Sequence, residues 1–127
     1  MGKNINFAIC EDHSLEREII QIYIENYFEK KDVKVNVTEF KSGTELLASD
    51  YSDIDIAFLD IYMDDIDGIE TARRMAETNK NVKFVFCSAS PEFIDQVEDL
   101  NVFRYFIKPL SPGKFNDAMD EYMKELD

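Results

Sequence analysis

The chain has 127 residues, 45% hydrophobic and 32% charged, and its 14 Lys and Arg against 27 Asp and Glu leave a net charge of −13 near pH 7. That describes one acidic globular domain, able to bury about two thirds of its unfolded surface and too small for a second core. No run approaches the roughly 18 apolar residues of a membrane span, Met1-Gly2-Lys3-Asn4 opens without a signal-peptide pattern, and the charge opposes contact with phosphate backbones or anionic lipid, so the expectation is a cytoplasmic protein that grips neither nucleic acid nor membrane by itself.

The first apolar run of strand length is Ile5 to Cys10. After it, Leu15-Ile19-Ile22-Tyr23-Asn26-Tyr27 carries the three-to-four spacing of an amphipathic helix. Val33 to Phe40 follows, with Val35-Asn36-Val37-Thr38 alternating as an edge strand does, and Ser42-Gly43-Thr44-Glu45 offers a capping box for a short helix through Ala48. Ile54 to Leu59 and Val82 to Cys87 are nearly continuous apolar runs, the pattern of strands covered on both faces. Between them, Ile66-Ile69-Ala72-Arg73-Ala76 repeats the helical spacing more weakly. A short, poorly patterned helix after Ser90-Pro91, a fifth strand from Val102 to Ile107, and a helix from Pro112 to about Leu126 complete five β-α units; Phe115, Met119, Tyr122 and Met123 share one face of the last helix.

Strands separated by helices run parallel, because a crossover long enough to hold a helix returns the chain to the same end of the sheet. The chain therefore reads as an open, doubly wound α/β domain, whose ligand crevice lies beyond the strand carboxyl ends. The residues there are Glu11-Asp12 after the first strand, Asp60 at the end of the third, Ser88 after the fourth and Lys108-Pro109 after the fifth. Three carboxylates brought together repel one another and raise at least one pKa unless a cation intervenes. Oxygen-only ligands point to Mg2+ rather than zinc. Lys108 supplies a point charge for a transferred anion, Ser88 a hydroxyl donor, and Asp60 is the carboxylate best placed to attack phosphorus and form an acyl phosphate.

The stretches Ile9-Cys10-Glu11-Asp12, Phe58-Leu59-Asp60-Ile61-Tyr62-Met63 with Asp67-Gly68, Cys87-Ser88-Ala89 and Tyr105-Phe106-Ile107-Lys108-Pro109 occur in this order across nearly the whole chain. Together they resemble the receiver domain of two-component response regulators. The resemblance implies a flavodoxin-like (βα)5 fold with strand order 2-1-3-4-5 over residues 1–127. It also implies that Asp60 is a phosphoacceptor served by a sensor histidine kinase, in a phosphorelay that ends in transcription regulation. On the same footing, Mg2+ is held by Asp12, Asp60 and the Tyr62 backbone carbonyl, with Glu11 acting through water. Ser88 and Lys108 contact the phosphoryl group, Tyr105 is the switch aromatic, the Lys108–Pro109 peptide is cis, and helix 4, strand 5 and helix 5 form an output face suited to a homodimer.

Asp64 stands where most receivers carry Pro, and Tyr62-Met63-Asp64-Asp65-Ile66-Asp67-Gly68, like Val102-Phe103-Arg104-Tyr105, is similar to the LytTR-type (LytR/AlgR-like) regulators. That subfamily continues into a β-rich DNA-binding domain. The chain is therefore read either as a receiver whose output domain lies outside these residues or as a single-domain regulator acting by protein–protein contact. Glu11 and Ser88 replace the more usual Asp and Thr.

Competing readings fare worse on the same residues. A calcium loop aligned on Gly68 would place Met63 and Arg74 at its first and last acidic positions. An aspartyl-nucleophile phosphatase needs a second Asp two positions on, where Tyr62 stands. A flavodoxin phosphate loop would be repelled by Glu11-Asp12-His13. His13 is read as a surface residue at a helix start, Asp64-Asp65-Ile66-Asp67 as a solvated loop, and Gly68 as a turn residue permitted a positive φ. Cys10 and Cys87 lack metal or redox spacing, and the implied strand order puts one strand between theirs, about 10 Å apart and beyond disulfide reach.

Overall fold

The computed structural model describes residues 3–126. Its elements are β1 (Lys3–Cys10), α1 (Ser14–Phe28), β2 (Val33–Phe40), α2 (Gly43–Leu47), β3 (Ile56–Asp60), α3 (Gly68–Thr78), β4 (Lys83–Ser88), a 3-10 helix (Pro91–Val97), β5 (Val102–Ile107) and α4 (Pro112–Leu126). All five strands are parallel in the order β2-β1-β3-β4-β5. This is the flavodoxin-like arrangement, with β2 at one edge and the order reversing at β1 and β3.

Alternation along each strand divides the apolar side chains between two layers. Ile5, Phe7, Ile9, Phe58, Val85 and Cys87 face α1 and α4, where Ile20, Ile24, Phe28, Phe115 and Met119 meet them. Ala8, Cys10, Ala57, Leu59, Phe84 and Phe86 face the other way, onto Leu46, Ile69, Ala72, Met75 and Val97. β3 is buried along its whole length, as its continuous apolar run requires, whereas β2 alternates between half-buried and exposed positions until Phe40. Cys10 and Cys87 thus lie on opposite faces of the sheet, a second barrier to a disulfide beyond the intervening strand. Burial pushes both thiols up to about 12, so they remain protonated and inert.

Three local expectations shift. β3 begins at Ile56 and runs through Asp60; just ahead of it Asp55 ties to β1 twice, its N–H donating to the Asn6 carbonyl at 2.8 Å and its carboxylate accepting the Asn6 N–H at 2.7 Å. The segment after β4 is a 3-10 helix: Ser90 caps it by accepting the Glu92 N–H at 3.2 Å, but Val97 is its only buried side chain, so no apolar stripe holds a longer α-helix. The α2 cap is split. Ser42 Oγ accepts the Glu45 N–H at 3.0 Å, while the Glu45 carboxylate reaches the Lys41 N–H at 3.2 Å instead of that of Ser42. At the opposite end from the strand carboxyl termini, buried Asn79 ties two loops together. Its Nδ2 donates to the carbonyls of Tyr51 and Ile54 at 3.0 Å each, and its Oδ1 accepts the N–H of Val82 at 3.1 Å.

Candidate functional site

Parallel pairing in this order brings the ends of β1, β3, β4 and β5 side by side, and with them Glu11, Asp60, Ser88 and Lys108. Glu11, Asp60 and Ser88 are all buried. Carboxylate oxygens of Glu11, Asp12 and Asp60 lie within 4.8 Å of one another. Lys108 Nζ sits among the acids, 2.8 Å from Glu11 Oε1, 3.1 Å from Glu16 Oε1 and 3.3 Å from Asp60 Oδ1. The Lys108–Pro109 peptide is cis.

Burial raises the Asp60 carboxyl above its usual value, outweighing the opposing pull of the Lys108 charge and of hydrogen bonds from its neighbours. Asp12 is raised as well, by desolvation and then by its contact with Glu11. Burial alone would lower Lys108, but its bond to Glu11 and the charges of Asp60 and Glu11 leave it well above the ordinary lysine range, permanently cationic. One ammonium therefore compensates several acids incompletely. Asp12 Oδ1 is buried with no hydrogen-bond partner, an acceptor without a donor. A hard divalent cation matches this donor set: oxygens only, clustered, partly uncompensated, with one orphaned lone pair.

Ser88 Oγ accepts the Ser90 N–H at 3.2 Å, which leaves its own hydrogen to donate. The Ser88 carbonyl accepts the Lys108 N–H at 2.8 Å, so the fourth and fifth strand ends are tied together. Tyr105 packs against Phe86, ring centroids 6.4 Å apart, and its hydroxyl donates to the Ser90 carbonyl at 2.7 Å. It lies inward behind the Ser88–Ser90 loop rather than in the acid cluster. The exposed Tyr62 side chain turns to the 3-10 helix: its hydroxyl donates to Glu92 at 2.8 Å and its ring meets Phe93 in a T-shaped contact, centroids 5.3 Å apart.

A family model described as the response regulator receiver domain matches residues 7–120. The chain belongs to the response regulator receiver family. Among curated relatives, the sensory transduction protein LytT of Oceanobacillus iheyensis is 28% identical over 126 residues, covering 96% of this chain and 49% of that protein. The response regulator SaeR of Staphylococcus aureus is 31% identical over 99 residues, covering 76% and 42%. The response regulatory domain of protein mrkE from Klebsiella pneumoniae superposes with a TM-score of 0.82 at 20% identity, over 95% of this chain and 97% of that one. The chain thus spans about half the length of the curated relatives it matches. Its affinity to LytT accords with the LytTR-type stretch from Tyr62 to Gly68. No helix among the described residues is long and apolar enough to cross a membrane.

Within this receiver, the loop after β3 departs from expectation. No described glycine has a positive φ. Gly68 is required by proximity instead: a Cβ there would run into the Asp60 carbonyl oxygen, because the Gly68 N–H donates to the Ile61 carbonyl at 3.0 Å and draws α3 against the site. The preceding acids are not merely solvated. Asp67 caps α3 by accepting the Glu70 N–H at 2.8 Å, and Asp65 accepts the Thr44 N–H at 3.1 Å, a bond that, with the Ile66 N–H, holds its carboxyl at about 2. Two residues beside the site, Glu16 and Arg17, carry no signal in the sequence, and a third, His13, reads there only as a surface residue. Glu16 reaches Lys108 from the first turn of α1. His13 Nδ1 lies near Glu11, Asp12 and Glu16. Buried Arg17 donates from Nη1 to the Glu11 carbonyl at 2.6 Å, fixing the backbone that carries the acid pair.

Proposed function

We propose that residues 1–127 form a phosphoacceptor receiver in which Asp60 takes a phosphoryl group from the phosphohistidine of a sensor histidine kinase. The observation that carries this reading is a buried Asp60 with Glu11 and Asp12 carboxylates within 4.8 Å and an ammonium 3.3 Å away. A carboxylate oxygen of Asp60 attacks phosphorus, the P–N bond breaks, the imidazole leaves with the electron pair, and an acyl phosphate forms. Asp12, Asp60 and the Tyr62 backbone carbonyl would hold Mg2+, with Glu11 acting through water. That ion supplies positive charge for the phosphoryl oxygens.

Lys108 leaves Glu11 and Glu16 for the new dianion, and Ser88 donates its hydroxyl hydrogen to it. Both contacts exist only after phosphorylation, so they shift the population toward a packing in which the Ser88–Ser90 loop closes inward. Tyr105, bonded to the Ser90 carbonyl, follows that loop and acts as the switch aromatic. The output face comprises the 3-10 helix, β5 and α4, and suits a homodimer. The domain assists its own phosphorylation and dephosphorylation without turning over a separate substrate. It works in the cytoplasm, and its output is transcription through a DNA-binding domain outside these residues. Incubation with acetyl phosphate and Mg2+ should add one phosphoryl mass to the intact chain. The added mass should vanish in Asp60→Asn and on chelation; persistence in either would refute the assignment.

A further inference from the structure

Beside the acid cluster lies a group that phosphotransfer leaves unused. His13 is the residue before α1, with its ring 71% exposed and no side-chain capping bond. Its Nδ1 lies 3.3 Å from Glu11 Oε2, 3.2 Å from Asp12 Oδ1 and 3.1 Å from Glu16 Oε2. Two ligand atoms each about 2.1 Å from one first-row ion are about 3.0–3.4 Å apart for angles between octahedral and tetrahedral. The imidazole nitrogen already stands at that spacing from each of these oxygens, and the ligand atoms of His13, Glu11 and Glu16 all lie within 4.8 Å of one another.

The placement is built rather than incidental. Glu16 lies one helical turn beyond His13, on the same side of α1. Glu11 is anchored at the end of β1 by its N–H to the Phe40 carbonyl at 3.1 Å and by Arg17 on its own carbonyl at 2.6 Å. The remaining oxygens of the two glutamates face Lys108, 2.8 Å from Glu11 Oε1 and 3.1 Å from Glu16 Oε1. Asp12 Oδ1, within reach of His13, is the buried acceptor that finds no hydrogen-bond partner.

We propose that His13, Glu11 and Glu16 form a second cation site, which takes a borderline first-row transition ion such as Zn2+ in preference to Mg2+. An imidazole nitrogen is a poor ligand for Mg2+, which favours an octahedron of oxygens, and a good one for Zn2+, Co2+ or Ni2+. Asp60 takes no part, and the inference does not rest on Asp60 being phosphorylated. Occupancy engages Glu16 on the side away from Lys108 and weakens its hold on the ammonium.

The test uses the tag-free chain, in which His13 is the single histidine, so every imidazole 15N resonance belongs to it. Titration with ZnCl2 in excess Mg2+, followed by calorimetry and by those resonances, should show one bound Zn2+ and a shift of Nδ1. Affinity should fall at least about tenfold in His13→Gln and in Glu16→Gln, since removing even an outer partner of a metal ligand costs about 10–100-fold. Asp60→Asn should retain binding, which separates this site from phosphotransfer. No Zn2+ binding, binding unchanged in His13→Gln, or binding that leaves the imidazole resonances unmoved would each overturn the proposal. His13 is exposed, so its substitution leaves the core untouched, and circular dichroism verifies the fold of the variant.

Discussion

Gly68→Ala tests the packing of α3 against the end of β3. A Cβ at Gly68 meets the Asp60 carbonyl oxygen and carbon and the Ile61 Cα, all backbone, so no rotamer change relieves the contact. Overpacking of this kind costs about 1–3 kcal/mol, and loss of the bond from the Gly68 N–H to the Ile61 carbonyl adds about 1 kcal/mol. Against this stands the gain of about 0.4–1 kcal/mol from a less flexible unfolded chain. The net is a destabilisation of about 1–3.6 kcal/mol. A domain of 127 residues unfolds with an entropy of about 0.27 kcal/mol/K near its midpoint, so Tm should fall by about 4–13 °C. Gly113→Ala is the matched control: a Cβ in the first turn of α4 meets nothing within 4 Å, and Tm should stay level or rise. Urea and thermal unfolding of the two variants decide the matter. A Gly68→Ala variant as stable as Gly113→Ala would refute the claim that close approach, rather than backbone φ, demands glycine there.

Asn79→Ala removes donors to the Tyr51 and Ile54 carbonyls and the acceptor for Val82, and at about 1 kcal/mol per bond should cost about 2–4 kcal/mol in urea unfolding. Because Asn79 lies at the far end of the strands, phosphorylation by acetyl phosphate should be unchanged; a loss of phosphorylation in folded protein would contradict the separation of scaffold and site. Lys108→Ala removes the ammonium from between Glu11 and Asp60, so Mg2+ affinity should hold or rise while the phosphorylation-induced response collapses. Equal loss of both would refute the division of labour. Asp60 and Asp12 have folded pKa values above the usual 3.8, so their ionised forms disfavour the folded state. That penalty is complete above the raised values and disappears as pH falls toward 3.8. In metal-free protein the stability contribution of Asp60 should thus increase on acidification, and Asp60→Asn should flatten this part of the pH profile. A profile identical in the variant would show that Asp60 is not held in a desolvated, ionised state.

Most of the architecture was legible because side-chain period reports burial. The nearly continuous apolar run of β3 fits a strand covered on both faces, and the alternation in β2 suits an edge. Strand ends then located Glu11, Asp12, Asp60, Ser88 and Lys108, since parallel order converts distant positions into neighbours. What escaped depends on distances that periodicity does not carry. Glu16 looks like an ordinary first-turn residue of α1 and His13 like an ordinary residue ahead of it; only the seating of that turn beside the β5 loop brings Glu16 to Lys108, and only the fold of the β1–α1 turn aims the His13 ring at Glu11, Asp12 and Glu16 together. Gly68 carries a turn signal in sequence, and only the closeness of the Asp60 carbonyl reveals the real constraint. Asp65 and Asp67 looked like a solvated run because a cap is recognisable only when the helix start is known to the residue.

The central claim is that Asp60 alone receives phosphorus, and the most direct measurement is to map the modified residue. Chain phosphorylated with acetyl phosphate in Mg2+ is reduced with borohydride, which converts an aspartyl phosphate into homoserine, and its peptides are read by mass spectrometry. The account predicts homoserine at position 60 and nowhere else. Conversion at Asp12, at Glu11 or at an acid outside the strand ends, with Asp60 intact, would contradict it.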